Sequence, residues 1–573
     1  MQLNTSQWAV TPFASVDDIE PPRPGAAVML EVLRSEGVRY VFGNPGTTEM
    51  PLLDALAAVP SISYVLGLNE ACVVAMADGY AQASGRPGFV NLHTAGGLGN
   101  AMGALINAKV SNTPLVVTAG QQDSRHLFAD PLLSGNLVDI AAPVMKSAHE
   151  VIHPDQIPML LRRAFHDSVA APSGPTFLSL PIDVMERTTA VSPGKVSRID
   201  RATVAGSLDE LGDLLAAIRP GRLALIAGDE VFDAGASAEL VAVADTLGAS
   251  VFCASWPGHI PFPTAHPLWA GSLPTTAREM HIRLQPFEAL FVLGGNSFTP
   301  YLYSEGPAIP STCRVFQLSS SVQELGRVYD SELACVGNIK ESLRALLPTL
   351  RGKMAPHGDA VAALRKQARD ARVAARMELA IRTDAELNAP VTTPFAAAAE
   401  VMRAVGPNIA IVDEAPATMS FVRSLLNSHS SRQYFFMRSA ILGWGMAAAV
   451  GVSLGLDREP VVSLVGDGSS LYAPQALWTA AHEQLPVTFI VMNNREYNVL
   501  KNYMKRQPHY HSVSGSRFIG MDLADPAIDF LALAASMGIP ARRIDRAADI
   551  ARAVEEGIRS GRPNLIELPI AAT

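Results

Sequence analysis

The sequence predicts an α/β protein of three doubly wound parallel-sheet domains, on three observations. Short apolar runs alternate with longer Ala-rich helical stretches almost from end to end. Most of these runs are apolar at successive positions, as strands of a sheet covered on both faces must be. The alternation lapses twice, at the polar stretch 188–206 and the charged stretch 351–390, which divides the chain into three blocks.

The first block carries the runs YVFGNP, PGFVNLH, TPLVVTAG and PTFLSLP, and forms an expected domain over 25–190. The second carries RLALIAGD, SVFCAS, ALFVLGG and RVFQLS, an expected middle domain over 205–350. Residues 351–390 include AVAALRKQARDARVAARMELAIRTDAEL, which has no strand signal and predicts a helical linker. The third block carries IAIVDE, PVVSLVGDG, PVTFIVMNN and NLIELPI, over 391–573. At 573 residues, division into several cores is the expectation.

Charged residues make up 17% of the chain and the hydrophobic set 48%, the composition of a buried, globular protein. The net charge of −9 is spread without long like-charge blocks, which argues against nucleic acid as the main partner. Cys72, Cys253, Cys313 and Cys335 show no CxxC or zinc spacing and are read as reduced, mostly buried thiols. The N-terminal stretch shows no basic start leading into an apolar core, so no secretory signal is read there. The apolar stretch near 446–456 is too short to span a bilayer. The expectation is a cytoplasmic, soluble protein.

Two strand-like runs end in unusual residues. VVSLV breaks into Gly466-Asp467-Gly468, and VTFIVM ends in Asn493-Asn494, with 24 residues between the two motifs. Ligands of doubly wound sheets bind at the carboxyl ends of strands. One carboxylate and one amide oxygen are hard ligands that suit Mg²⁺ or Ca²⁺, and Mg²⁺ commonly completes its shell with phosphate oxygens. Gly466 and Gly468 allow the backbone close to a phosphate, and Ser469 adds a hydroxyl. Either motif alone would more often be an ordinary turn; the pair at this spacing is specific.

The GDG…NN pair resembles the signature of the thiamine-diphosphate enzymes, and the resemblance extends over nearly the whole chain. It is strongest in LNEACVVAMADGYAQASGRPGFVNLHTAGGLGNAMGALINAKVSNTPLVVTAGQQ and in QALWTAAHEQLPVTFIVMNNREYNVL. The branch it resembles most is the benzoylformate decarboxylases. The resemblance implies thiamine diphosphate and Mg²⁺ as cofactors. It implies a pyrimidine-binding first domain, a diphosphate-binding third domain, and a homodimer or homotetramer with its active sites between subunits. Glu70 and Asp467 of one site would then come from different chains.

The resemblance also implies roles. Asp467, the side chain of Asn494 and the backbone oxygen of Glu496 would hold the metal. Gly466, Gly468, Ser469 and Tyr472 would contact the cofactor, and Leu442 would prop it in a bent conformation. Glu70 would exchange a proton with the aminopyrimidine ring. His93 and His266 would move protons, work suited to imidazole. Thr47, with Thr48 next to it, would meet the substrate carboxylate. Leu132, Leu133, Val499 and Tyr503 would line an apolar substrate pocket. Lys501, Lys505 and Arg506 near its entrance are read as a solvated face or as a receiver for a second anionic group.

The implied reaction is non-oxidative decarboxylation of an aryl or branched 2-keto acid to an aldehyde. The alternative within the family is a carboligase or lyase of the acetolactate synthase or 2-hydroxyacyl-CoA lyase kind. From other classes, the stretch Gly96–Gly103 resembles a dinucleotide-binding glycine loop, but no ribose-binding acid follows it. A non-catalytic scaffold would have no use for Glu70, His93, His266, Asp467 and Asn494 together.

Overall fold

The computed structural model describes residues 21–572; the segment 1–20, on which much of the reading of the N-terminus rests, lies outside the described residues. Among the described residues the chain forms three six-stranded parallel sheets flanked by helices. In the first sheet the strands lie side by side as Ser63–Leu66, Tyr40–Gly43, Gly88–His93, Leu115–Gln121, Thr176–Pro181 and Ala148–Glu150. In the third the order is Tyr434–Phe436, Ala410–Glu414, Val461–Gly466, Val487–Asn493, Asn564–Pro569 and Ala541–Arg543. Numbered along the chain, both sheets run 2-1-3-4-6-5, so each reverses direction between its first and third strands. The middle sheet runs Trp269–Ser272, Ser250–Cys253, Leu223–Ala227, Ala289–Leu293, Arg314–Ser319 and Leu333–Val336, the order 3-2-1-4-5-6.

The strands form where apolar side chains leave no polar face. Val461–Val465, Val487–Met492 and Leu115–Gln121 are buried throughout, and such runs are stable only between two layers of helix. The helix Gly358–Glu386 follows the middle sheet; among its residues Val361 alone is fully buried.

The first and third sheets share one hydrophobic core, while the middle sheet has its own. Two helices make the joint, Glu70–Ser84 and Gly445–Gly455. They cross backbone to backbone at small residues. A Cβ on Gly451 would sit 1.8 Å from the Met76 carbonyl oxygen, and one on Gly79 would sit 2.3 Å from that of Ala448. No side chain fits either gap.

Two readings are corrected by these elements. Gly96–Gly103 is helix interior, within Thr94–Val110, and forms no glycine loop. Lys501 is not free on a solvated face: it is buried, and its Nζ donates to Glu496 and, at 2.5 Å, to Asp522 Oδ1. Only Lys505 and Arg506 of that trio are exposed. All four cysteines are free and buried. Among the described residues no helix is long and apolar enough to cross a membrane.

Candidate active site

The crevice of a doubly wound sheet opens where the strand order reverses. In the first sheet this point lies between the ends of Tyr40–Gly43 and Gly88–His93, and in the third between Ala410–Glu414 and Val461–Gly466. The Glu70–His93 group lies at the first and the Asp467–Asn494 group at the second.

At the first, Glu70 opens the helix Glu70–Ser84, capped by Asn69, whose side chain accepts from the Ala71 amide at 2.9 Å. Asn44 Nδ2 donates to Glu70 Oε1 and Asn100 Nδ2 to Oε2, both at 3.1 Å. The carboxyl is thus held between two neutral amides from separate elements. Gly97 packs against it, with room of 3.4 Å for a Cβ.

His93 ends its strand beside the loop that carries Asn44. Its Nδ1 lies 2.8 Å from Glu49 Oε2 and 3.0 Å from Thr48 Oγ1. Thr48 Oγ1 donates to Glu49 Oε1 at 2.7 Å, and the Gly46 amide donates to Glu49 Oε2 at 2.8 Å. A carboxylate only accepts, so Nδ1 carries the proton and Nε2 is left as the acceptor. The loop fits the ring closely: a Cβ on Gly46 would lie 2.4 Å from it. Thr94, next in the chain, holds φ at +50° with its hydroxyl buried and unpartnered. A β-branched residue in the left-handed region is strained, as residues at working sites commonly are.

Glu49 is the partner that the sequence reading missed, and its place two residues after Thr47 is the one signal that could have found it. Thr47 itself is exposed; the hydroxyl that meets His93 is that of Thr48. His266 is not brought to His93. Its Nδ1 accepts from the Leu268 amide at 3.3 Å, and its Nε2 faces Asp245 at 3.5 Å, which also pairs with Arg365. Burial lowers its pKa and Asp245 opposes that. Within this chain both ring nitrogens of His266 face groups of the middle domain, Nε2 without a hydrogen bond to Asp245.

At the second place, Asp467 Oδ1 accepts from the Gly468 amide at 2.8 Å and Oδ2 from the Arg495 amide at 2.6 Å. Burial pushes its carboxyl above the usual range. Asn494 Oδ1 accepts from the Glu496 amide at 3.1 Å. Asn493 instead donates to Glu567 Oε1 at 2.7 Å, which ties it to the neighbouring strand. Arg495 turns the chain at φ +59°. Among the described residues no three His, Cys, Asp or Glu side chains form a metal cluster. One carboxylate with amide and carbonyl oxygens suits a hard cation that takes its remaining ligands from phosphate. Gly468 cannot carry a side chain, since a Cβ would lie 2.5 Å from the Tyr497 ring. The residues present therefore fit a metal-bound diphosphate.

Leu442 lies in a turn held against the end of the strand Ala410–Glu414. Gly443, at φ +100°, and Gly445 both donate their amides to the buried Glu414, at 2.6 Å to Oε1 and 2.5 Å to Oε2. Burial pushes the Glu414 carboxyl up to about 8, against those two amides. Glu414 was also missed, although an acid closing a buried strand is a legible signal. Tyr472 packs on Gly443 and is half-exposed.

The proposed pocket residues lie on two elements. Leu132 and Leu133 are exposed in the loop after Leu115–Gln121, and Val499 and Tyr503 are partly exposed on the helix Asn498–Lys505. Among the described residues no hydrogen bond or ion pair joins the Glu70 group to the Asp467 group.

Comparison with known proteins gives three matches along the chain. The N-terminal thiamine pyrophosphate (TPP) binding domain of thiamine pyrophosphate enzymes matches residues 23–135, their central domain 211–346, and their C-terminal TPP binding domain 417–568. A benzoylformate decarboxylase of Pseudomonas aeruginosa is 32% identical over 550 residues, covering 94% of this chain and 97% of that protein. A putative acetolactate synthase large subunit of Mycobacterium tuberculosis is 28% identical over 558 residues, covering 95% and 99%. Among solved structures, a thiamine diphosphate-dependent 4-hydroxybenzoylformate decarboxylase of Rhodococcus jostii superposes with a TM-score of 0.83 at 28% identity, covering 96% of this chain and all of that one. With its two TPP binding domains, its central domain and full-length relatives, the chain belongs to the thiamine pyrophosphate enzyme family.

Proposed function

We propose that the protein decarboxylates an aryl or branched 2-keto acid, without oxidation, to the aldehyde and carbon dioxide. The observation that carries this reading is the loop Asn44–Glu49, which bonds Glu70 at one end and the His93 pair at the other. An acid for the cofactor ring and an imidazole for the substrate are thereby set by one short segment.

Asp467, Asn494 and the Glu496 carbonyl would hold Mg²⁺, with Gly466, Gly468 and Ser469 against the diphosphate and Leu442 beneath the rings. When bound, thiamine diphosphate supplies the carbon nucleophile and the electron sink. Glu70 would serve the aminopyrimidine as proton donor and acceptor, through a carboxyl oxygen held by Asn44 or Asn100. His93 moves a proton at Nε2, with Nδ1–H fixed by Glu49. The exposed Thr47 offers its hydroxyl to the substrate carboxylate, while the Thr48 hydroxyl is taken by Glu49. Leu132, Leu133, Val499 and Tyr503 exclude water from the organic part of the substrate, since burying apolar surface is favourable by about 25 cal/mol per Å². The working unit is a homodimer or homotetramer, in which the Glu70 group of one subunit meets the Asp467 group of another, in the cytoplasm.

The relatives support this choice: the benzoylformate decarboxylase of Pseudomonas aeruginosa is 32% identical over 94% of the chain, against 28% for the putative acetolactate synthase. The test is product analysis with benzoylformate, a branched 2-keto acid and pyruvate, with and without an acceptor aldehyde. Aldehyde release, with benzoylformate or the branched acid favoured in kcat/KM, is the expected result. Pyruvate as the best substrate would overturn the pocket assignment. Carbon–carbon ligation as the main outcome would replace decarboxylase by carboligase.

A further inference from the structure

The carboxyl of Asp78 lies fully buried in the joint between the first and third sheets, and among the described residues it forms no ion pair. It sits two turns along the helix that Glu70 begins. Three N–H groups converge on it. Gln82 Nε2 donates to Oδ1 at 2.8 Å, Asn107 Nδ2 to Oδ2 at 2.9 Å, and Trp444 Nε1 to Oδ2 at 3.0 Å. Asn107 turns its other end to Ser439, whose hydroxyl donates to Asn107 Oδ1 at 2.7 Å. Ser439 and Trp444 bracket Leu442.

The turn they bracket is under strain. Ala440 holds φ +58° and Gly443 φ +100°, and an alanine in the left-handed region costs energy that its surroundings must supply. Glu414 grips the turn from its own domain. The Asp78–Trp444 and Asn107–Ser439 bonds grip it from the other. A buried carboxylate surrounded by neutral donors is costly unless every bond is made, and packing alone could be met by a leucine. The three donors give the acid a purpose that packing does not.

We propose that Asp78 is a positioning residue for Leu442. It anchors both ends of the Ser439–Gly445 turn to the helix that starts with Glu70, so that one carboxylate sets the spacing between the acid of one cofactor half-site and the apolar prop of the other. This rests on the cofactor roles given above to Glu70 and Leu442.

The experiment uses two variants of the full chain. Trp444→Phe removes one donor and keeps the apolar ring. Asp78→Asn is the rescue case: its amide oxygen can accept from Trp444 and Asn107, while its NH₂ meets Gln82, whose Oε1 is buried without a partner and can turn to accept. Hydrogen exchange of the 439–445 amides is measured without ligand, and thiamine diphosphate binding with Mg²⁺ is measured by calorimetry. In Trp444→Phe, faster exchange confined to this turn and an affinity about tenfold weaker are expected, the scale of one hydrogen bond to a charged group; Asp78→Asn should stay within about threefold of the parent. Unchanged exchange and affinity in Trp444→Phe would overturn the proposal, as would a faster turn that leaves affinity unaltered. If the parent itself bound no thiamine diphosphate, the cofactor reading would fall, and faster exchange would still locate the anchor at Asp78.

Discussion

Glu49 Oε2 lies 2.8 Å from His93 Nδ1 inside a loop too close to the ring for any residue but glycine at position 46. The imidazole therefore has a fixed tautomer and a fixed plane, set before any ligand arrives.

His93→Ala should lower kcat by roughly 10²–10⁴, the usual contribution of a placed proton-transfer group. Glu49→Gln keeps the shape but loses the second acceptor, and should retain more activity than His93→Ala. Steady-state kinetics on the preferred 2-keto acid checks the order. Equal, small losses in both would show that the pair does no chemistry.

Asp467→Ala should abolish Mg²⁺-dependent binding of thiamine diphosphate while the chain stays folded. Calorimetry and circular dichroism, run together, separate the two effects. Parent-like affinity in the variant would remove Asp467 from the metal site.

Glu70→Gln preserves both amide contacts in outline but removes the acid. Proton exchange at C2 of the bound cofactor, followed by NMR, should slow by roughly 10²–10⁴. An unaltered exchange rate would leave Glu70 as a helix-capping acid only.

His259 gives a prediction on pH. It is fully buried, stacked on Phe232 at 3.7 Å between centroids, and burial lowers its pKa to about 4 despite the nearby Asp229. Its tie to the third domain is a contact of Nδ1 with the Tyr434 carbonyl at 3.4 Å. In the unfolded chain the ring takes a proton near 6.5. Its contribution is therefore complete above pH 6.5 and is lost as pH falls from there toward 4. His259→Phe keeps the stack and should flatten the stability curve across that window, by something of the order of 3 kcal/mol at its acid end. Denaturant titrations at several pH values would show it; parallel curves would mean that the ring is already charged in the fold.

Gly451→Ala should destabilise the protein by about 3 kcal/mol or more, beyond the common cost of an overpacked methyl, because the obstacle is backbone. A melting curve decides. A variant as stable as the parent would show that the two helices can part.

The sheets were legible because their strands are apolar on both faces, a pattern that few other structures permit. The residues proposed for metal and phosphate stood out in the sequence because GDG and NN close two such strands. Strand order was not, since nothing in a run such as RLALIAGD states which neighbour it takes. Glu49, Glu414 and Asp78 were missed for a related reason: each is a lone acid whose partners are backbone amides or distant side chains. His266 stood in a family-like segment, yet the groups around its ring, Asp245 and Arg365, come from helices that no local pattern brings near. The apolar pocket residues fall on separate exposed elements, so their common purpose could be argued only by resemblance.

The crossing at Gly79 and Gly451 also bears on how such an enzyme can move. Two sheets locked backbone to backbone behave as one rigid slab, with no slack for a hinge between them. On the function proposed above, closure over a substrate would then fall to lighter parts, the loop that holds Leu132 and Leu133 and the helix that holds Val499 and Tyr503, while Glu70 and Leu442 of the same chain ride together. A rate limited by that closure would respond to changes in the loops and stay indifferent to changes that merely stiffen the slab.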